Sequence, residues 1–336
     1  LFKDSILVFS SMRYQIADGK SKTATSRIAM LPLNAAGTVK SKLLEETINK
    51  ISFNDANASI SPDGKIMIFT RCMYNDDGKL ICSLYESKYE NGKWTEASKL
   101  PEQINASLST TTQPCITSNK SLGYLLFFAS NRKGGNGGMD IWWTQKPVNG
   151  SWQKPENAGM VINSANDEWS PFLDPENGRI TFSSERDSGL GGLDLWQTDW
   201  PSSTSGLQHL PRPYNSGYND LYFIRSFGDP VSRLLVSNRP PAQQLNGSSC
   251  CYDIFRLKEI LVKADTVITI PADSGLMVTS APDETSDSIR LEQGFLNQTL
   301  LEQQNTLSSY LPIRLYFDND QPDPRTISKT TRQRYD

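Results

Sequence analysis

Short apolar runs alternate with clusters of Gly, Asn and Asp along the first 260 residues of the chain. Between residues 113 and 152 the runs predict four strands, at 113–117, 124–130 and 140–145, with a short fourth starting at Trp152. The intervening Gly, Asn and Asp residues favour the positive φ angles of tight turns. No apolar run approaches the ~20 residues that a membrane-spanning helix needs. The pattern therefore predicts β-structure.

An apolar run that ends in a serine and an arginine recurs as Phe9–Arg13, Phe128–Arg132, Phe182–Arg186 and Leu235–Arg239. Arg132 to Arg186 is 54 positions and Arg186 to Arg239 is 53, whereas Arg13 to Arg132 is 119. A further copy is therefore expected near residue 72, where an apolar run follows Ser61-Pro62-Asp63-Gly64. A second motif, Gly-Gly-x-Asp, places Asp140 and Asp194 at the same spacing, and Asp253 has the same place in the last copy.

Four strands in a period of ~40–55 residues are typical of propeller blades. We therefore expect an all-β fold, a β-propeller of about five four-stranded blades over residues 1–262. The first unit lacks an obvious first strand before Asp4. Either that strand was trimmed from the N-terminus, or a C-terminal segment such as Val267-Ile268-Thr269-Ile270 completes the blade.

The repeated charged residues are expected to be structural. A bond between the arginine and the aspartate of one hairpin, or between the aspartate and loop amides, would fix the hairpin in each blade. The residues concerned are Arg13, Arg132, Arg186, Arg239, Asp140, Asp194 and Asp253.

The chain has five cysteines and one histidine. Cys72 and Cys82 flank a turn at 75–78 and are expected to form a disulfide, which requires an oxidising compartment. Cys250 and Cys251 form either a vicinal disulfide or free thiols, and we favour the bridge. Cys115 is expected to be a buried thiol. The cysteine spacing and single histidine predict no zinc site and no other metal or cofactor.

The blade motifs resemble those of the TolB-like, WD-repeat-like propeller family, carried by Ser61-Pro62-Asp63-Gly64, Ser130-Asn131-Arg132 and the segment 137–142. The second unit departs from the family, with Arg71-Cys72 in place of Ser-Asn-Arg. The segment 311–326 resembles the start of the OmpA-like domain of Bacteroidetes envelope proteins. A propeller joined to such a domain is similar to PorE-like periplasmic subunits of the type IX secretion and gliding machinery.

That resemblance implies a periplasmic protein, associated with the outer membrane or peptidoglycan, whose partners are other subunits of an envelope complex. Residues 263–310 would be a linker with a possible short helix, and 311–336 a truncated OmpA-like domain. Peptidoglycan would bind through the missing part, because the residues that hold it in such domains lie beyond residue 336.

The search for catalytic groups favours a protein without enzymatic activity. No G-x-S-x-G motif is present, and no basic stripe suggests nucleic acid. Asp63, Asp167, Glu168 and Asp174 could face the propeller channel as glycosidase carboxylates, although aspartates of the Ser-Pro-Asp-Gly type usually cap turns. We therefore expect a non-enzymatic periplasmic scaffold. The alternative is an extracytoplasmic propeller that binds or hydrolyses glycans.

Overall fold

The computed structural model describes residues 6–12, 25–32, 41–119, 121–201, 206–225, 232–240, 242 and 252–258. The regular elements in these ranges are β-strands, arranged in five antiparallel sheets that follow one another along the chain. The predicted all-β class is therefore confirmed. In this part of the chain, no helix has the length and apolar character needed to cross a membrane.

The five sheets are numbered as blades in chain order. Blade 1 contains β1 (Ile6–Ser11), β2 (Arg27–Pro32) and β3 (Lys42–Leu43). Blade 2 contains β4 (Asn54–Ile60), β5 (Ile66–Tyr74), β6 (Leu80–Glu90), β7 (Lys93–Trp94) and β8 (Ser98–Lys99). Blade 3 contains β9 (Thr111–Asn119), β10 (Gly123–Ser130), β11 (Asp140–Lys146) and β12 (Glu156–Asn157). Blade 4 contains β13 (Glu168–Asp174), β14 (Arg179–Ser184), β15 (Asp194–Asp199) and β16 (Gln208–His209). Blade 5 contains β17 (Asp220–Arg225), β18 (Ser232–Ser237) and β19 (Asp253–Lys258).

The blades stack around a central axis. The first strands of blades 2 to 5 (β4, β9, β13 and β17) contact one another in succession. Apolar side chains fill the space between neighbouring blades, and Phe127 of blade 3 shares a cluster with Phe182 of blade 4. Blade 5 packs on blade 1 in the same way, where Val236 shares a cluster with Leu7 and Phe9. Because one sheet cannot cover both of its own faces, this stacking closes the sheets into a five-bladed propeller.

β1 occupies the second-strand position of its blade, because Phe9-Ser10-Ser11 aligns with Phe128-Ala129-Ser130. Among the described residues, no strand pairs with β1 on its channel side. The segment 267–270, considered above as a completing strand, lies outside the described residues.

The hairpin of blade 2 is longer than those of blades 3 to 5. β5 and β6 continue to pair through Cys72 with Cys82, Met73 with Ile81 and Tyr74 with Leu80. Cys72 and Cys82 form a disulfide, with their Cα atoms 4.0 Å apart. The predicted bridge is therefore confirmed, and it closes the part of the hairpin that extends beyond the blade.

One predicted strand differs from the observed one, and several predicted features lie outside the described residues. The fourth strand of blade 3 is Glu156–Asn157, whereas Trp152, expected to begin that strand, is buried in a cluster shared with blade 2. Arg13, Cys250, Cys251, the linker 263–310 and the segment 311–336 lie outside the described residues, so their roles and the domain boundaries stay predictions.

Candidate functional site

Each first strand of blades 2 to 5 has a bulge, where its pairing with the second strand shifts. Each bulge contains a non-glycine residue in the left-handed region: Asn57 (φ 53°), Gln113 (φ 51°), Ser170 (φ 46°) and Tyr222 (φ 51°). This conformation costs about 1–2 kcal/mol for an L-residue and is rare for a bulky one. Such strain persists where the surroundings over-determine the conformation, often at functional sites. We call these four residues the polar ring.

The backbone amide of each ring residue donates to a side chain of the preceding blade. In blade 2, Asn57 N donates to Ser10 Oγ at 2.7 Å. In blade 3, Gln113 N donates to Thr70 Oγ1 at 3.1 Å. Ser10 and Thr70 occupy the same position in their second strands. The hydroxyl at that position accepts a hydrogen bond from the ring residue's backbone amide, which the bulge leaves without a partner in its own sheet.

Blade 3 has Ala129 at that position and therefore no hydroxyl to offer. Instead, Gln113 accepts the next bond through its own side chain, with Ser170 N donating to Gln113 Oε1 at 2.6 Å. Ser170 Oγ in turn accepts from Tyr222 N at 3.1 Å. The polar ring is thus a chain of hydrogen bonds that passes from blade to blade.

A cavity of about 320 Å³ lies at the axis, beside the polar ring. Its wall is formed by the first strands, by the second strands of blades 1 and 5, and by Ile254 of β19, through residues 7–10, 57–64, 113–117, 170–173, 175, 222–225, 234–236 and 254. The exposed lining residues Pro62, Asp63 and Pro175 lie in turns that join first to second strands. The cavity therefore opens on the side of these turns, which we call the turn face.

Asp63 is the carboxylate at this opening. Its Oδ1 accepts from Ser61 Oγ at 2.6 Å and from Lys65 N at 3.1 Å, and its Oδ2 accepts from Tyr124 Oη at 2.7 Å. Partial burial acts to raise the pKa of Asp63, but these hydrogen bonds outweigh it and lower the pKa below its ordinary value. Burial and the bond to Asp63 raise the pKa of Tyr124 to about 12. Asp63 is therefore an ionised acceptor near neutral pH.

Arg225 is the cationic side chain of the lining, and two carboxylates neutralise it. Its Nη1 lies 3.3 Å from Asp174 Oδ2 and also bonds Glu176. Asp174, which was considered as a carboxylate that could face the channel, thus lies at the rim of the cavity, where it forms an ion pair with Arg225.

Two uncharged polar groups of the lining lack partners. Thr117 Oγ1 is buried without a hydrogen-bond partner in the described structure, and the side-chain nitrogen of Gln113 donates to no described residue. A buried hydroxyl without a partner costs about 1–3 kcal/mol, which a ligand can recover. Cys115, also in the wall, is a free buried thiol whose pKa burial raises to about 11, so it stays protonated.

The aspartates of the Gly-Gly-x-Asp motif lie away from this cavity. Asp140 accepts from the backbone amides of Asn136 and Gly137, at 2.5 and 2.9 Å. Asp194 accepts from the amides of Leu190 and Gly191. Asp253 begins β19 and is buried. These contacts are those of loop-fixing residues.

The repeated arginines insert between aromatic rings at the opposite end of the blades. The guanidinium carbon of Arg132 lies 4.9 Å from the Phe128 ring centre and 5.2 Å from that of Trp142. Arg186 is placed in the same way between Phe182 and Trp196. Both donate to backbone carbonyls of the connection that enters their blade.

In blades 4 and 5, an acidic residue at the start of the first strand forms an ion pair with the repeated arginine. Arg186 pairs with Glu168 at 3.3 Å, and Arg239 pairs with Asp220. In blade 2, Arg71 takes this role two positions earlier than the motif, and its Nε lies 2.6 Å from Asp55 Oδ1.

Asp167 and Glu168, which were considered as carboxylates that could face the channel, lie elsewhere. Asp167 Oδ1 accepts from Met139 N at 2.8 Å, and Glu168 bonds Ser164, Ser184 and Arg186. Both hold the loops of blades 3 and 4 together, and neither lines the cavity. Asp63, the fourth candidate, does line the cavity. The residues of the polar ring were missed, because their four different side chains share only a backbone conformation.

The fold and its cavity define the chain as a five-bladed β-propeller with an axial pocket. No known protein family matches the sequence. A search of curated protein sequences gives no match either.

Solved structures of similar fold include a puromycin-hydrolysing peptidase from Mycobacterium tuberculosis (14% identity, TM-score 0.38), whose match covers 70% of this chain and 32% of the peptidase. A protein of unknown function from Dyadobacter fermentans matches at 10% identity and TM-score 0.46, over 70% of this chain and 69% of that one. An α-L-arabinofuranosidase from Lactobacillus brevis matches at 12% identity and TM-score 0.43, over 72% of this chain and 83% of the arabinofuranosidase. The chain spans about a third of the peptidase. These similarities concern the fold.

The expectation of a protein without enzymatic activity is withdrawn, because solved structures of this fold include arabinofuranosidases and peptidases and the fold therefore gives no ground for excluding catalysis. The comparison gives no support to an OmpA-like domain or to a PorE-like protein.

Proposed function

We propose that this chain is an extracytoplasmic propeller that binds a neutral, hydroxyl-rich ligand, such as an oligosaccharide, in its axial cavity. The cavity carries the proposal. Its volume of about 320 Å³ is at the lower end of the ~300–1,000 Å³ typical of small-molecule sites. It combines apolar walls with a few polar groups, as such sites do.

The polar groups suit hydroxyls, which both donate and accept hydrogen bonds. Asp63 offers a carboxylate acceptor, Gln113 lines the cavity with a side-chain amide, and Thr117 in the wall has a buried hydroxyl without a partner in the described structure. Phe172 and Phe223 add apolar surface against which a sugar ring could pack. Because Arg225 is neutralised by Asp174 and Glu176, the lining does not favour a strongly anionic ligand.

The described cavity supports binding directly, whereas glycoside hydrolysis would need a second carboxyl group beside Asp63. Most glycosidases place two carboxyl groups about 5–9.5 Å apart across the scissile bond. Among the described lining residues, Asp63 is the one carboxylic acid, and its lowered pKa makes it a poor proton donor near neutral pH.

The test is a binding screen of the full chain against cell-wall and polysaccharide fragments, with hits measured by titration calorimetry. Thr117→Val removes the unpaired hydroxyl with little change of shape and should weaken binding by at least tenfold. Thr198→Val is the matched control, because Thr198 Oγ1 is also buried and unpaired in the described structure but lies in β15, outside the cavity. Absence of any binding fragment, or equal losses in both variants, would contradict the proposal.

The disulfide supports the proposed compartment. Cys72–Cys82 is consistent with an oxidising, extracytoplasmic location. A role in an envelope complex, with peptidoglycan and other subunits as partners, remains a further proposal that rests on the resemblance of segment 311–326 alone. Retention of the full-length protein on isolated cell walls would test it.

A further inference from the structure

The end of the propeller opposite the cavity opening is built from two kinds of segment. One is the loops between second and third strands, and the other is the connections from one blade to the next, at 44–53, 100–110, 158–167 and 210–219. These segments pack on each other: Arg132, at the end of β10, donates to Gln103 O at 3.1 Å. A Cβ on Gly137 would lie 2.1 Å from Asn166 O. We call this end the loop face.

The loop face carries most of the exposed apolar side chains. Of the eleven large hydrophobic residues that are exposed in the described structure, nine lie in these segments or at the tip of the blade 2 hairpin. Leu108 is 89% exposed and Met160 is 84% exposed, in the connections that follow blades 2 and 3. The two remaining residues, Leu122 and Val148, lie at the turn-face end of blade 3.

Backbone strain accompanies this exposure. Leu108 has a φ of 57° and Ser188, in the loop that also exposes Leu190, has a φ of 78°. A left-handed leucine is rare, and an exposed side chain gains nothing from burial to offset the cost. Strain of this kind is found at binding surfaces, and large exposed apolar patches mark interaction sites.

The described part of the loop face is acidic. Among the described residues of these segments, seven exposed side chains are acidic, including Asp76 and Asp77 at the hairpin tip, and three are basic, Lys79, Lys133 and Arg212. A complementary partner therefore combines apolar and basic residues. An anionic lipid surface would be repelled by the same charges.

We propose that the loop face is a docking surface for a partner protein, which it contacts through an apolar segment flanked by lysine or arginine. The surface is separate from the axial cavity, so a protein partner and a cavity ligand can be bound at the same time. The Cys72–Cys82 bridge closes the hairpin that presents Met73 and Leu80 at its edge, which limits the entropy lost on docking.

The test places a photoreactive benzoylphenylalanine at Leu108, Met160 or Leu190 of the full chain in cells of its source organism. Matched controls carry it at Leu122 and Val148, which are also exposed but lie at the other end. We expect one cross-linked protein adduct of common mass at the three loop-face positions and not at the controls. Mass spectrometry should map the cross-link to an apolar segment flanked by basic residues, and 0.5 M salt should reduce the yield several-fold.

Several outcomes overturn the proposal: no adduct at the loop face, the same adduct at the controls, an adduct with lipid, or an adduct with a second copy of this chain. Sedimentation with phosphatidylcholine–phosphatidylglycerol vesicles gives an independent measure, because membrane binding would replace the protein partner. A Leu108→Glu, Met160→Glu variant should lose the Leu190 cross-link while keeping its melting temperature, since both side chains are exposed.

Discussion

Tyr222 Oη donates a hydrogen bond of 2.9 Å to Asn57 Oδ1, although the two residues are 165 positions apart. The bond joins the first strand of blade 5 to the first strand of blade 2 and so passes over blade 1, whose described residues provide no first strand. The polar ring is therefore continuous around the axis despite the difference between blade 1 and the others. The side chains that close the polar ring, Tyr222 and Asn57, also line the cavity.

Two substitutions of Asn57 should distinguish the energetic cost of its backbone strain from the contribution of its hydrogen bond with Tyr222. Asn57→Ala keeps an L-residue at a φ of 53° and removes the acceptor for Tyr222, so we expect a loss of about 2 kcal/mol in the free energy of unfolding. Asn57→Gly removes the same acceptor but relieves the strain, so its loss should be smaller by about 1 kcal/mol. Urea unfolding measures both. Equal losses would show that the left-handed backbone is not strained.

In blade 3, the Gln113 side chain replaces the second-strand hydroxyl as hydrogen-bond acceptor, so restoring that hydroxyl should rescue the loss of Gln113. Gln113→Ala leaves the buried amide of Ser170 without its acceptor and should cost about 1–3 kcal/mol. Ala129→Ser places a hydroxyl where Ser10 and Thr70 supply one in blades 1 and 2, and in the double variant it should restore part of that loss. Ala129→Ser alone is the control and should be neutral or destabilising. If the double variant is no more stable than Gln113→Ala, the positional equivalence is wrong.

The blade count could be predicted because each blade must place the same packing residues at the same spacing. Arg132, Arg186 and Arg239 recur at 53 or 54 positions since each enters the same space between aromatic rings and the preceding connection. Arg71 was not recognised as a member of this set because it lies two positions early, yet its Nη2 reaches Ile48 O as Arg132 reaches Ile104 O.

Other elements could not be predicted from residue types. Asn105, Asn163 and Asn215 precede the first strands of blades 3, 4 and 5, but their role required the structure. Each side chain bonds both backbone groups of one residue in the third strand of the preceding blade. Asn49 does the same for Ile28 and completes the set. The polar ring left no motif, because a bulge needs a backbone conformation and one acceptor, which different side chains can provide.

Removal of the disulfide should weaken the fold without unfolding it. The bridge joins residues 10 positions apart, and loop closure of that length accounts for about 2–3 kcal/mol in the unfolded state. A Cys72→Ala, Cys82→Ala variant should therefore show a loss of that order in urea unfolding, and a reducing agent should have no further effect on it. Alkylation of both cysteines in the unreduced native protein would contradict the bridge.

Arg186 should not be replaceable by lysine. Its planar guanidinium lies between Phe182 and Trp196 and pairs with Glu168, whereas an ammonium group cannot stack or reach all these partners. We expect Arg186→Lys to cost about 2 kcal/mol by thermal or urea unfolding. Arg179→Lys is the matched control, because Arg179 pairs at the surface with Asp199 and should cost less than about 1 kcal/mol. Similar losses in the two variants would rule out the stacking argument.

The carboxylate at the cavity opening gives a prediction for pH. Because the pKa of Asp63 is lowered in the folded protein, its stabilising bonds are complete above the unfolded-state pKa and are lost as the pH falls through the folded-state value. Tyr124→Phe removes the 2.7 Å bond to Asp63 Oδ2, so the pKa should rise towards its ordinary value and any Asp63-dependent ligand binding should weaken at a higher pH than in the parent. Carbon-13 NMR of the Asp63 carboxyl group measures the shift directly. Tyr218→Phe, at an exposed position on the loop face, should leave it unchanged. A titration curve of Asp63 identical in the parent and in Tyr124→Phe would show that Tyr124 does not hold the carboxylate in its ionised form.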